Sequence, residues 1–173
     1  MKPSLIVIVG LCIATGVAHA DTAWKELKSA RCKSAALFPG TPQEQKQKVP
    51  SEVGEIEATM YLLEAEGGVG AFLLMCNDYP KDLAEKAAPD KVLDGARDGS
   101  AKQMEGKVVS EKKITVNGFP GRELEIATSE FRYFARLVLA KHRLHQAVIM
   151  MKTDKVKPED TRKYLDSLKV EAP

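Results

Sequence analysis

The sequence predicts an α+β domain, an antiparallel β-sheet with flanking helices, on three observations. Strand-like segments succeed one another without crossover helices, above all Arg122 to Ala127, Phe131 to Ala140 and Arg143 to Met151. Thr128-Ser129 and Lys141-His142 between them are of hairpin length. Helical periodicity is confined to two segments, opening near Pro89 and at Pro158. The order strands, helix, strands, helix places helices on the faces of one antiparallel sheet.

Trp24 to Leu27 and Cys32 to Phe38 read as two strands joined by a turn around Ser29 to Arg31, the second stopped by Pro39-Gly40-Thr41-Pro42. Gln43 to Ser51 is polar and reads as an exposed loop or a weak edge strand. From Glu55 to Glu64, Ile56, Ala58, Met60 and Leu62 share one face, the period of a half-buried strand. Gly67-Gly68-Val69-Gly70 is a hairpin turn, and it leads into Ala71 to Cys76. That run is apolar without alternation, which places it centrally in the sheet. After Tyr79-Pro80 a helix opens at Pro89-Asp90 with Asp90 as N-cap. Val92, Leu93, Ala96 and Met104 line one side of it. Gly95 and Gly99 fit a helix lying close on the sheet, and Gly106 closes it. Val108 to Val116 is the next strand. "GFPGRE", Gly118 to Glu123, is a rigid turn feeding the strand after it. The last helix starts at Pro158 and gathers Tyr164, Leu165 and Leu168 on one face.

Residues 1–20 have the three parts of a secretory signal: Lys2, the apolar run Leu5 to Val17, and Ala18-His19-Ala20 as cleavage motif. Cleavage after Ala20 leaves residues 21–173 as a single domain, secreted or periplasmic, with no later apolar run long enough to span a membrane. The 26 Lys and Arg nearly balance the 24 Asp and Glu. Their signs alternate along the chain without a block, which argues against a nucleic-acid surface. Of the three cysteines, Cys12 leaves with the signal. Cys32 and Cys76 are then either a disulfide, worth roughly 4 kcal/mol for a loop of about 45 residues, or two buried thiols. The chain reads as a monomer.

"WKELKSARCKSAALFPGTP" from Trp24, "GFPGRE" from Gly118, "ARLVLAKHRLHQAVI" from Ala135 and "YLDSLKV" from Tyr164 occur in this order. Together they resemble the secreted bacterial relatives of the PsbP/Mog1-like family, over nearly all of residues 21–173. His145 stands where the family pattern has Tyr, and Leu168 where it has Phe. The resemblance implies an α-β-α sandwich around an antiparallel sheet. It implies no activity: PsbP is a photosystem accessory subunit, Mog1 a partner-binding protein, and most bacterial members are uncharacterised.

The chemistry-bearing residues do not assemble into a familiar motif. Arg122 and Glu123 point to opposite faces of a strand, with Arg122 at the rim of the sheet and its stem packed beside Leu124 and Ile126. His142 and His145 are an odd spacing apart on a strand, so they face apart and make no zinc pair. The glycines at 67–70 lead into a strand, not into a phosphate-binding helix. Asp90, Asp94 and Asp98 form a solvated helical stripe, with Asp98 paired to Lys102, and lack the alternate spacing of a calcium loop. Ser100 lacks the surroundings of a hydrolase nucleophile.

These features favour an exported, non-catalytic binding or accessory protein of the cell envelope that uses no cofactor or metal. Its surface is a basic rim of Arg122, Arg136, Lys141, His142 and Arg143, suited to carboxylate or phosphate on an envelope protein or a small anionic ligand. A solvated rim without a partner is the plainer alternative. The competing class is a small hydrolase or metal-dependent enzyme, which requires Cys, His and carboxylate groups to converge in one pocket.

Overall fold

Two antiparallel meanders meet edge to edge and make one seven-stranded sheet. The computed structural model describes residues 23–51, 54–81 and 88–173; the signal segment 1–20 lies outside them. The first meander is β3 (Gln43–Ser51), β4 (Gly54–Glu64) and β5 (Gly70–Asp78). Helix α1 (Pro89–Gln103) then leads to the second: β6 (Lys107–Val116), β7 (Phe119–Ala127), β8 (Phe131–Ala140) and β9 (Arg143–Lys152). β9 returns to pair antiparallel with β5, giving the order β3-β4-β5-β9-β8-β7-β6. A smaller sheet holds β1 (Lys25–Ser29), β2 (Ser34–Phe38) and β10 (Lys169–Val170), with β2 in the middle. Helix α2 (Pro158–Asp166) precedes β10.

Both faces of the large sheet are covered, which is why β9 reads as a nearly continuous apolar run. On one face Leu93 of α1 packs with Leu124, Ile126, Tyr133, Ala135, Leu137, Leu144 and Val148. On the other, Tyr164 and Leu165 of α2 pack with Phe38, Phe72, Leu74, Val138, Ala147 and Ile149. Tyr164 stands edge-on to Phe38 and Phe72, at ring-centre distances of 5.3 and 5.2 Å, a favourable arrangement for aromatic quadrupoles. The polar stretch Gln43 to Ser51 is an edge strand. The other edge, β6, carries Lys107, Lys112 and Lys113 and a bulge at Val109, devices that discourage a further strand from adding.

Several local readings change. The turn before β7 is Asn117-Gly118, both with positive φ and flanked by the pair Val116↔Phe119. This two-residue hairpin suits an Asn-Gly sequence. Pro120 to Glu123 of GFPGRE are therefore strand, not turn. Cys32 lies in the β1–β2 turn with Lys33, whose φ is 54°. Asp90 is not an N-cap: Ala88 occupies that position, and Asp90 sits in the first turn of α1. At the other end of α1, Glu105 takes the left-handed conformation with φ 49°, and Gly106 N–H reaches back to the Ala101 carbonyl at 2.9 Å. Gly106 is required for clearance, because a Cβ there would stand 2.6 Å from Ile126 Cγ2. Gly99 has no such neighbour, so close packing on the sheet does not account for it.

A disulfide joins Cys32 to Cys76, with Cα atoms 5.6 Å apart, and ties the small sheet to the middle of the large one. The paired variant Cys32→Ala/Cys76→Ala should lose roughly 4 kcal/mol in urea unfolding relative to the oxidised protein. An unchanged midpoint would show that the fold does not draw on this closure.

Candidate functional site

Two rows of side chains cross one end of the large sheet on the face that carries α2. The inner row is Thr59, Cys76, His145 and Val138, in register across β4, β5, β9 and β8. The outer row pairs Asp78 with Arg143 across β5 and β9, with Glu57 of β4 beside them. The β1–β2 turn folds over both rows and is held there by polar bonds. Ser29 Oγ accepts the Cys32 N–H at 2.9 Å and bonds the Tyr61 hydroxyl at 2.9 Å. Arg31 donates to Thr59 Oγ1 at 2.9 Å and to Glu57 Oε1 at 2.8 Å. Arg143 grips Asp78 with two bonds, of 2.6 and 2.8 Å, and donates to the Arg31 carbonyl at 2.8 Å. Between them lies a polar pocket of about 300 Å³ lined by Arg31, Glu57, Thr59, Cys76, Asp78 and Arg143.

The Arg143 guanidinium bonded to Asp78 holds that carboxyl below its ordinary range, against the opposing effect of burial. His142, in the turn, reaches within 3.9 Å of the same carboxylate. His142 in the turn and His145 in β9 both lie at this end of the sheet. His145 is fully enclosed, and neither ring nitrogen has a hydrogen-bond partner. Burial, reinforced by the nearby Arg143 charge, pushes its pKa down to about 4, so at neutral pH it is an uncharged imidazole.

Two of the five residues expected to form a basic rim serve the fold instead. Arg122 is 4% exposed and lies on the α1 face, bonded to Asp90 at 2.6 Å, Asp94 at 3.3 Å and Glu111 at 3.0 Å. It is not a rim group; Asp90 and Asp94 of the stripe keep solvent-exposed side chains as expected and also supply its counter-charge. Asp98 pairs with Arg97 rather than with Lys102. Arg136 lies on the α2 face, where it donates to Glu123 at 2.7 Å, to the Leu165 carbonyl at 2.9 Å and to Asp166. Lys141, His142 and Arg143 do stay together at the β8–β9 hairpin, with Lys141 exposed. Arg31, Glu57, Asp78 and the inner row escape sequence reasoning, because only the β5–β9 register brings them to His142 and Arg143. The one signal was the order "RC" before a strand: a bridged Cys32 drags Arg31 wherever Cys76 goes. Among the described residues, no helix is long and apolar enough to cross a membrane, and no group of three His, Cys, Asp or Glu is placed to hold a metal ion.

These elements define a mixed α+β protein of PsbP-like fold. The chain is similar to the solution structure of cyanobacterial PsbP (CyanoP) from Synechocystis sp. PCC 6803, with a TM-score of 0.58 and 13% sequence identity. The likeness covers 94% of this chain and 99% of that one. It is a likeness of fold alone. No protein-family model matches the sequence, and no curated protein matches it.

Arg122→Met should cost about 2 kcal/mol in denaturant unfolding, since three charged acceptors lose their donor, while Lys141→Ala should cost nothing measurable. Equal effects from the two would contradict the assigned roles. Acidification should weaken the fold through His145. Its folded pKa lies below the unfolded value, so the unfolded chain binds the extra proton first, and stability falls by ~3 kcal/mol as pH drops from about 6.5 to about 4. His145→Leu should flatten the slope between about pH 6.5 and about pH 5, above the range where carboxylates held low in the fold, such as Asp78 and Glu123, add their own acid sensitivity; a variant with the wild-type slope there would place the titration elsewhere.

Proposed function

We propose that this chain is an exported, non-catalytic binding or accessory protein of the cell envelope, and that it meets its partner through the sheet end built around the β8–β9 hairpin. The observation that carries this is the polar pocket at that end. Arg31, Glu57, Asp78 and Arg143 are pre-arranged by mutual bonds, and Lys141 and His142 border them with no carboxylate closer than 3.9 Å among the described residues. A pre-arranged charged surface can exchange hydrogen bonds with carboxylate or phosphate at little ordering cost.

The reading rests on three further points. The disulfide and the signal-like segment 1–20 both suit an oxidising compartment. Cys32 and Cys76, bonded to one another, offer no thiolate nucleophile. His145 is enclosed and His142 stands beyond hydrogen-bonding distance of Asp78, so a base positioned by a carboxylate, as acyl transfer needs, is not assembled. The fold likeness to PsbP agrees with an accessory role without identifying a partner. An α-β-α sandwich is the arrangement in which we place α1 and α2, and the chain acts as a monomer.

Photo-crosslinking in the intact envelope tests this. A crosslinking residue at Lys141 should give one discrete adduct, which Arg31→Glu suppresses while the melting temperature stays within a degree or two. The same residue at Lys107, on the β6 edge at the opposite end of the sheet, should give none. Equal adducts from positions 141 and 107, or an adduct indifferent to Arg31→Glu, would overturn the assignment.

A further inference from the structure

Three soft-metal donors lie at the sheet end, two of them masked by their bond to each other, and while that bond is closed no group of three among the described residues is placed to hold a metal ion. Cys76 and His145 are directly opposed on β5 and β9, so their side chains project from the same face as neighbours. Cys32 is bonded to Cys76 from the turn above. His145 is wholly enclosed, yet neither Nδ1 nor Nε2 meets a donor or acceptor. A buried imidazole without partners costs free energy that an apolar side chain there would not, and packing alone gives no reason for histidine at this position.

We propose that reduction of the Cys32–Cys76 disulfide turns this row into a Cys₂His site for a thiophilic cation, Zn²⁺ or Cu⁺, with His145 as the third ligand. The exchange balances. A dithiol reductant of the envelope supplies two electrons and two protons to the disulfide and leaves as its own disulfide, giving two thiols. The incoming cation displaces both thiol protons and takes a lone pair from the uncharged imidazole. Three protein ligands leave one position of a tetrahedral centre for water.

The approach is also present. Cys76 lines the polar pocket, so an attacking thiolate has a path to its sulfur. Arg31 and Arg143 in the same wall favour that negative charge. The cross-link between the turn and β5 would persist, carried by the metal in place of the sulfur–sulfur bond.

Cobalt substitution tests the site with a visible signal. The protein is reduced with an excess of dithiol, freed of reductant under argon and titrated with Co²⁺, with far-ultraviolet circular dichroism recorded in parallel. The reduced protein should bind one Co²⁺ with thiolate-to-cobalt and tetrahedral ligand-field bands, keep its β-sheet spectrum and melt higher than the reduced metal-free form. Zn²⁺ should bleach the bands stoichiometrically. The oxidised protein should show none. Reduced His145→Leu should bind more weakly by more than the roughly 10–100-fold typical of losing a supporting group, with altered ligand-field bands. The idea fails if reduced His145→Leu binds with the wild-type affinity and bands, or if the reduced wild-type protein gives no thiolate band. It fails equally if the reduced chain unfolds and added metal does not restore the sheet.

Discussion

The pairing of β5 with β9 is the constraint on which the rest of this structure depends. Among the described residues it is the only ladder that joins the two meanders, and it runs in unbroken register from Gly70↔Met151 to Asp78↔Arg143. Gly70 begins it because nothing larger fits: a Cβ there would stand 2.1 Å from the Met150 carbonyl oxygen. A slip of one residue would turn Phe72, Leu74 and Cys76 away from the core they share with α2 and bury their neighbours instead. The same register sets Cys76 against His145 and Asp78 against Arg143. The disulfide, the enclosed imidazole and the polar pocket are therefore consequences of one alignment.

Around this ladder, charge is used to fasten helices to the sheet. Arg122 gathers Asp90 and Asp94 of α1 together with Glu111 of β6, and Arg136 gathers Glu123 of β7 with the end of α2. Both arginines are largely enclosed, where charge-assisted bonds are stronger than at an open surface. Glu123 illustrates the balance: burial raises its pKa, but Lys112 and Arg136 outweigh that and hold it below the usual range. At the sheet end Lys141 stays exposed, with the half-buried His142 beside it.

Much of the fold was legible in the chain. Alternation, hairpin-length connections and two isolated helical patterns are local signals, and they place nearly every strand within a residue or two. The Asn117-Gly118 turn is also carried by a local signal, the Asn-Gly dipeptide, which overlaps the first glycine of GFPGRE. Burial of Arg122 was not legible. Its strand position marks it as a packed stem, while its enclosure depends on α1 lying across β7, a contact between segments far apart in sequence. Glu105 rather than Gly106 takes the left-handed position, because clearance from Ile126 decides where glycine must stand. The site was least legible of all. Arg31 comes from the β1–β2 turn, Glu57 from β4 and Asp78 from the end of β5, and only long-range pairing unites them.

Native-state hydrogen exchange measured residue by residue tests the primacy of the β5–β9 ladder most directly. Amides of β5 and β9 that face each other should exchange only through global unfolding, with an opening free energy equal to that from denaturant titration, while β3 and β6 open at lower cost. If β5 and β9 instead exchange as readily as those edges, the two meanders are independent units. The alignment of Cys76, His145, Asp78 and Arg143 would then not be the organising feature of this protein.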